Sequence, residues 1–84
     1  MFTYVNTSTF TMRLAVAAEV RAAMGRQNVR ARDLSAAIGI SQGALSERLN
    51  GKRAFNVDQL ARIADVLDVD LIDFFRIEMP AVGA

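Results

Sequence analysis

The segment over residues 31–49 constrains the fold more than any other part of this chain, because it predicts two short helices joined by only three residues. The first helix fits Ala31 to Ile38, and Gly39 after it readily takes the left-handed conformation that ends a helix. Ser41 is a favoured N-cap for the second helix, which runs from Gln42 to about residue 49. Apolar side chains on the facing sides of the two helices would fix the angle between them. These side chains are Leu34, Ile38, Leu45 and Leu49, while Ala37 also faces inward and Ile40 fills the corner between the helices.

A longer helix is predicted before this segment, from near Thr9 or Thr11 to about Arg26. It is rich in Ala, Leu, Met, Arg and Glu, which are good helix formers. An apolar residue recurs at every fourth position, and this spacing predicts one stripe that packs into the core. The stripe comprises Met12, Val16, Val20, Ala23 and Met24.

Two further helices are predicted after residue 55. Asn56, with Gln59 three residues later, forms a capping-box-like start to a helix that ends near residue 67. The inner face of that helix comprises Leu60, Ile63, Ala64 and Leu67. Asp70 is predicted to cap a short last helix whose apolar residues are Leu71, Phe74 and Phe75. The expected fold class is therefore all-α, with five helices.

The two ends of the chain are predicted to lie outside this helical domain. Residues 1–10 are rich in β-branched and aromatic types, and apolar positions alternate with polar ones, which favours a short strand or an extended arm. Pro80 is predicted to end the ordered chain. The expected organisation is an N-terminal arm over 1–10, one domain over 11–77 and a tail over 78–84.

Composition argues against several classes of function. The chain has no cysteine and no histidine, so it lacks disulfides, the commonest metal ligand and the commonest general base. We expect no enzyme, no metal, no cofactor and no small-molecule ligand. An acidic string lacks the glycine and the bidentate Glu of an EF-hand loop, so capping and solvation explain it better. This string comprises Asp65, Asp68, Asp70 and Asp73.

Membrane and secretory classes are also disfavoured. The longest apolar run is interrupted by Glu19 and Arg21 and is too short to span a bilayer. The N-terminus shows no secretory signal. We therefore expect a cytoplasmic protein.

The small net charge of +1 hides an uneven distribution along the chain. Residues 13–53 carry eight basic and three acidic side chains, whereas residues 54–84 carry two basic and six acidic ones. This asymmetry favours one face that binds a polyanion and another that is turned away from it. An uneven but fully solvated surface is the alternative.

A helix, a Gly-containing turn, a Ser cap and a short helix are together the sequence form of a helix-turn-helix. The stretch DLSAAIGISQGALSERLNGKR over 33–53 resembles the lambda repressor-like family, the Cro/CI-type repressors of phages and their bacterial relatives. NVDQLARIADVLDVDLIDFF over 56–75 is similar to that family's fourth and fifth helices. The likeness covers roughly residues 13–75. It implies a five-helix domain that binds a double-stranded DNA operator, usually as a homodimer, with its third helix in the major groove.

The resemblance assigns the base-contacting residues to this third helix. Gln42 matches the glutamine that opens the family's recognition helix, and its amide suits adenine N6 and N7. Gly43 and Ala44 are small enough to let the backbone approach the bases, and Ser46 can donate or accept. Glu47 is unusual beside phosphates, and we expect it to accept from cytosine N4 or to discriminate against wrong sequences.

The resemblance also assigns contacts with the DNA backbone. Lysine and arginine after the recognition helix would add salt-dependent affinity without distinguishing sequences. Arg48 is either another phosphate contact or an ion-pair partner of Glu47. Ala31 stands where the family often has a glutamine that contacts phosphate and supports the recognition glutamine, so flanking arginines would have to take over the phosphate contact. The expected backbone contacts are Arg30, Arg32, Ser41, Arg48, Asn50, Lys52 and Arg53.

Apolar side chains near both ends exceed what a monomer would comfortably expose. We expect the N-terminal arm and the segment after residue 74 to meet across a two-fold axis. In a monomer, the same side chains would instead cover the protein's own core. The residues in question are Phe2, Tyr4, Phe10, Phe74, Phe75 and Ile77.

The leading hypothesis for function is a phage or prophage repressor of the Cro or short-CI type. The antitoxin of a toxin–antitoxin pair, which autoregulates its own operon, is an alternative that also binds DNA. A protein–protein adaptor on the same fold is an alternative of a different class. Gln42, Lys52 and Arg53 argue against the adaptor, because they stand where DNA contact needs them.

Overall fold

The computed structural model describes the backbone of residues 4–75 and the side chains of residues 12–75. It contains α1 (Tyr4–Gln27), α2 (Ala31–Ile38), α3 (Gln42–Leu49), α4 (Val57–Leu67) and a 3-10 helix (Leu71–Phe75). No strand occurs over residues 4–75, and the all-α prediction is confirmed. None of the helices in this range has the length and apolar content needed to span a bilayer.

The count of five helices is not confirmed in the form predicted, because the last segment is a 3-10 helix of five residues. So short a segment can form few α-helical hydrogen bonds, and 3-10 geometry is typical of such pieces. Its first bond runs from the N–H of Asp73 to the carbonyl of Asp70, at 2.9 Å.

The predicted start of α1 is also wrong. The helix begins at Tyr4 rather than near Thr9 or Thr11, so no extended arm exists from residue 4 onward. The β-branched and aromatic residues at this end have only slightly lower helix propensities, and extending a helix costs far less than nucleating one. The alanine-rich remainder of α1 supplies the nucleus. Residues 1–3 and 76–84, which include the predicted tail, lie outside the described residues.

Each of the four α-helices is followed by a residue in the left-handed conformation. Gly39 and Gly51 follow α2 and α3 with φ of 78°, while Asn28 and Asp68 follow α1 and α4 with φ of 58° and 56°. In each case the next residue donates its N–H to the carbonyl five positions earlier, at 2.8–3.1 Å. These bonds satisfy carbonyls that the helix leaves free. The predicted role of Gly39 is confirmed.

The core lies where α1 packs on α3, α4 and the 3-10 helix, with α2 packed on α3 and α4. Two predicted core residues lie outside it: Met12 is 43% exposed, and Ala37 is exposed. Ser35 takes the buried place on α2, because its hydroxyl donates to the carbonyl of Arg32 at 2.9 Å and so is satisfied. The buried apolar cluster comprises Val16, Val20, Ala23, Met24, Leu34, Ile38, Leu45, Leu49, Leu60, Ile63, Ala64, Leu67 and Phe74.

Candidate nucleic-acid interface

The start of α3 is fixed by Ser41. Its backbone is extended, and its Oγ accepts a hydrogen bond from the N–H of Ala44 at 3.0 Å. This bond satisfies one of the N–H groups that a helix leaves free at its start. The helix therefore begins at Gln42, as predicted, and the Gln42 side chain stands exposed at its first turn.

The two sides of α3 differ sharply in burial. Leu45 and Leu49, one turn apart, are buried in the core and anchor the helix. Four of the five predicted base-contacting residues, namely Gln42, Gly43, Ser46 and Glu47, are exposed. Ala44 is half-buried and lies on the flank of the helix. These four exposed residues are called the open face of α3 below.

Gly43 has no structural role that explains its lack of a side chain. A Cβ atom at this position would meet only the Oγ of Ser41, at 4.0 Å, which is ordinary van der Waals contact. Gly43 is the second residue of α3, and glycine is a poorer helix residue than alanine. The protein therefore tolerates a less stable residue at an exposed site where its own fold would accept alanine. A section of the α3 backbone is therefore not covered by a side chain.

Glu47, on the open face, is paired with a basic residue from the following turn. Its Oε1 lies 3.0 Å from Nε of Arg53, and both side chains are about half or more exposed. The pair that sequence alone suggested, between Glu47 and Arg48, does not form in the described part of the chain. The turn at Gly51 brings Arg53 back over the end of α3, whereas Arg48 is directed toward α4. The carboxylate on the open face is thus partly neutralised by a neighbour.

Two arginines hold the C-terminal half of α3 in place. Nη1 of Arg21, in α1, donates to the carbonyl of Leu49, the last residue of α3. Arg48 donates to the carbonyl of Ala44 and to the side chain of Gln59 in α4. Sequence reasoning missed both links. No short-range pattern signals a partner 28 or 11 residues away.

The predicted backbone-contacting residues are exposed, with the exception of the half-buried Arg48. The structure brings Asn50, Lys52 and Arg53 together in the turn after α3. There Nδ2 of Asn50 donates to Oγ of Ser46 at 3.4 Å. The side chain of Lys52 has no ion-pair partner among the described residues. This turn therefore presents cationic side chains beside the open face.

Arg30 and Arg32 stand apart from that turn, at the start of α2. Arg30 is the N-cap residue of α2 but forms no side-chain capping bond. Arg32 makes a loose ion pair with Asp33, at 3.6 Å, and both side chains are largely exposed. No hydrogen bond or ion pair among the described residues joins either arginine to α3.

Of the terminal residues expected at a dimer surface, the structure describes the side chains of two. Phe74 is only 1% exposed and packs in the core, which corresponds to the monomer alternative for this residue. Phe75 is 39% exposed and lines a groove of about 260 Å³ together with Met12 and Val57. The other predicted dimer side chains lie outside the described part: Phe2, Tyr4, Phe10 and Ile77.

A family model described as helix-turn-helix matches residues 20–74. The match runs from the middle of α1 into the 3-10 helix, spans more than half of the chain and includes all of α3. No curated protein and no solved structure matches the chain significantly.

Proposed function

This chain belongs to the lambda repressor-like helix-turn-helix family, and from that premise we propose that it regulates transcription by sequence-specific binding to double-stranded DNA. The proposal assigns α3 to the major groove, where Gln42 and the rest of the open face contact base edges. The exposed Lys52 and its neighbours in the turn after α3 contact phosphates and position the domain. Members of this family typically have no enzymatic activity, and we propose none for this protein.

The observation that carries the proposal is the exposed Gly43 in the middle of this face. A recognition helix must bring its backbone close to the floor of the major groove, and side chains that face the bases limit that approach. The fold would accept alanine at position 43, so stability does not explain glycine there. Close approach of DNA to the helix backbone explains the glycine in this proposal.

Glu47 supplies discrimination in this proposal. In the free protein its carboxylate is paired with Arg53. A DNA phosphate competes for Arg53, and the freed carboxylate then needs a donor in the groove. Cytosine N4 provides one, whereas other bases leave a charged group unpaired beside phosphates. Glu47 therefore favours cytosine at its base pair and penalises alternatives.

We further propose a homodimer of the Cro/CI type that represses from a two-fold operator in the bacterial cytoplasm. The groove at Met12, Val57 and Phe75 and the 71%-exposed Ile72 form apolar surface of the kind that subunit interfaces cover. A dimer places two copies of α3 on half-sites about one helical turn of DNA apart, roughly 34–36 Å.

Selection of binding sites from random duplex DNA, followed by affinity measurement over roughly 50–200 mM salt, tests the proposal. We expect enrichment of a two-fold symmetric sequence and an affinity that falls steeply with salt. A single enriched half-site would overturn the dimer but keep DNA binding. No enrichment, with no salt-dependent binding at micromolar protein, would favour the adaptor and overturn the proposed function.

A further inference from the structure

Arg48 lies on α3, but its guanidinium group is directed at the protein. Nη1 donates to the carbonyl of Ala44, one turn earlier, at 2.9 Å. Nε donates to Oε1 of Gln59, in α4, at 3.3 Å. Arg48, Ala44 and Gln59 are all half-buried, so water competes for these bonds less than it would at an open surface.

The bond from Arg48 to Gln59 joins two helices whose backbones do not pack together. No Cα atom of α3 comes within 8 Å of a Cα atom of α4, although both helices pack on α1 and α2. Among the described residues, the Arg48–Gln59 bond is the side-chain hydrogen bond that spans this gap. The link therefore adds a direct polar connection between two helices that otherwise share an apolar core.

Gln59 is a fixed acceptor because the start of α4 holds it. Its own N–H donates to Oδ1 of Asn56 at 2.7 Å, and its Oε1 accepts from the N–H of Asn56 at 3.0 Å. This is a complete capping box. A side chain held by the box loses little further freedom when it binds the guanidinium group of Arg48. The capping box thus places a polar anchor beside α3.

The position of Arg48 on α3 makes this anchor relevant to the open face. Arg48 follows the buried Leu45 by three residues, so it lies about 60° around the helix from that side chain. Leu45 and Leu49 are the buried residues of α3 and form one line of apolar contact, which resists a roll of the helix about that line less than it resists removal of the helix from the core. A hydrogen bond on the flank opposes this roll. Rolling would turn Gln42 and Glu47 away from the base edges that they contact.

We propose that Gln59 is a positioning residue for DNA recognition, which acts through Arg48 to fix the rotation of α3 and so sets how strongly the protein prefers its operator over other DNA. The inference rests on the proposed function. It also changes the role of Arg48, which supports the recognition helix from behind rather than serving chiefly as a phosphate contact. This support comes from α4.

The test compares affinities for the selected duplex and for a scrambled duplex at one salt concentration. Gln59→Met removes the acceptor oxygen, whereas Gln59→Glu keeps it and keeps the capping box. Asn56→Ala is the matched control, because it removes the bond to the Asn56 side chain but keeps the backbone N–H of Asn56 that holds Oε1 of Gln59 in place. Arg48→Met removes the donor, and the double variant with Gln59→Met completes a mutant cycle.

We expect Gln59→Met to lower the ratio of selected to scrambled affinity about tenfold, the size of effect that loss of one well-placed base contact produces. Affinity for the scrambled duplex should stay within about twofold of wild type. Gln59→Glu and Asn56→Ala should keep the wild-type ratio, although Asn56→Ala lowers Tm. Arg48→Met should match Gln59→Met, and the double variant should lose no more than either single one.

Equal weakening of binding to both duplexes by Gln59→Met would overturn the proposal and leave Gln59 a capping residue only. So would an equal loss of the affinity ratio in Asn56→Ala.

Hydrogen exchange of the Arg48 Nε–H, followed by NMR without DNA, checks the link itself. We expect slow exchange in wild type and Asn56→Ala and fast exchange in Gln59→Met. Fast exchange in wild type would contradict the link even if DNA binds. A wild-type ratio near one would instead overturn the proposed function.

Discussion

At Gly43, the residue that best suits stability differs from the residue that best suits the proposed DNA binding. A methyl group at position 43 meets no atom of the protein closer than an ordinary contact, so the fold does not exclude it. In the proposed complex, the same methyl group would stand between the helix backbone and the bases of bound DNA. Stability and affinity should therefore change in opposite directions when it is added.

Gly43→Ala should raise the free energy of unfolding by about 0.5 kcal/mol, since alanine is the better helix residue but position 43 lies in the first turn of α3. It should weaken binding to the selected duplex about tenfold, as loss of a well-placed base contact does. Thermal unfolding and titration of the labelled duplex measure the two effects. Unchanged affinity would show that α3 does not approach the bases closely at this point.

Gly51 contrasts with Gly43, because the fold favours a glycine there. Its φ is 78°, and a Cβ atom would overlap the side chain of Leu14 in α1. Gly39 has the same φ but no atom within 4 Å of its Cβ position. Substitution of either glycine therefore forces an ordinary residue into the left-handed conformation. At Gly51, the new side chain would also overlap Leu14.

Gly39→Ala should cost about 1–2 kcal/mol of stability, the price of a left-handed conformation for an ordinary residue. Gly51→Ala should cost more, because Leu14 must also move. Denaturant unfolding of both variants measures the difference. Equal losses would mean that the side chain of Leu14, which is 39% exposed, moves aside without measurable cost.

Among the elements, α2, α3 and α4 follow from local sequence. Gly39 ends α2, Ser41 begins α3, and Asn56 with Gln59 begins α4. Each signal acts within four residues, so it is visible without tertiary contacts. The start of α1 was mispredicted because helix propagation outweighs the weak β preference of residues 4–10.

In the candidate site, too, some features follow from local sequence and others depend on tertiary contacts. Exposure of Gln42, Gly43, Ser46 and Glu47 follows from the helical spacing of Leu45 and Leu49. The partners of the charged residues do not follow from local sequence. Arg53 rather than Arg48 pairs with Glu47, and Arg48 meets Gln59, because these choices depend on how α3 sits against the rest of the molecule.

The cap of α3 offers a test at the scale of one helix. Ser41→Ala should lower stability by about 1 kcal/mol, or roughly 4–8 °C in Tm for a domain of this size. Ser41→Asp should retain the cap and the stability. Its carboxylate should nevertheless weaken binding to all DNA sequences, because position 41 faces phosphates in the proposed complex. Full DNA affinity in Ser41→Asp would place the start of α3 away from the DNA backbone.

For the whole molecule, the uneven charge distribution predicts how salt affects binding. Lys52→Ala should weaken binding to the selected and scrambled duplexes alike and should lower the slope of log affinity against log salt by about one. Arg62→Ala removes an exposed positive charge from α4, outside the candidate interface, and serves as the matched control. Equal slope changes in the two variants would indicate a general effect of net charge rather than a phosphate contact at Lys52.

The most direct measurement of the central claim is the base preference of Gln42→Ala, obtained by repeating the selection from random duplexes. Wild type should enrich adenine at one position of each half-site, where the glutamine amide bonds to N6 and N7. Gln42→Ala should lose that preference alone, keep preferences elsewhere, and bind the original site more weakly by about 1–3 kcal/mol. An unchanged preference at every position would contradict the placement of the open face of α3 against the bases.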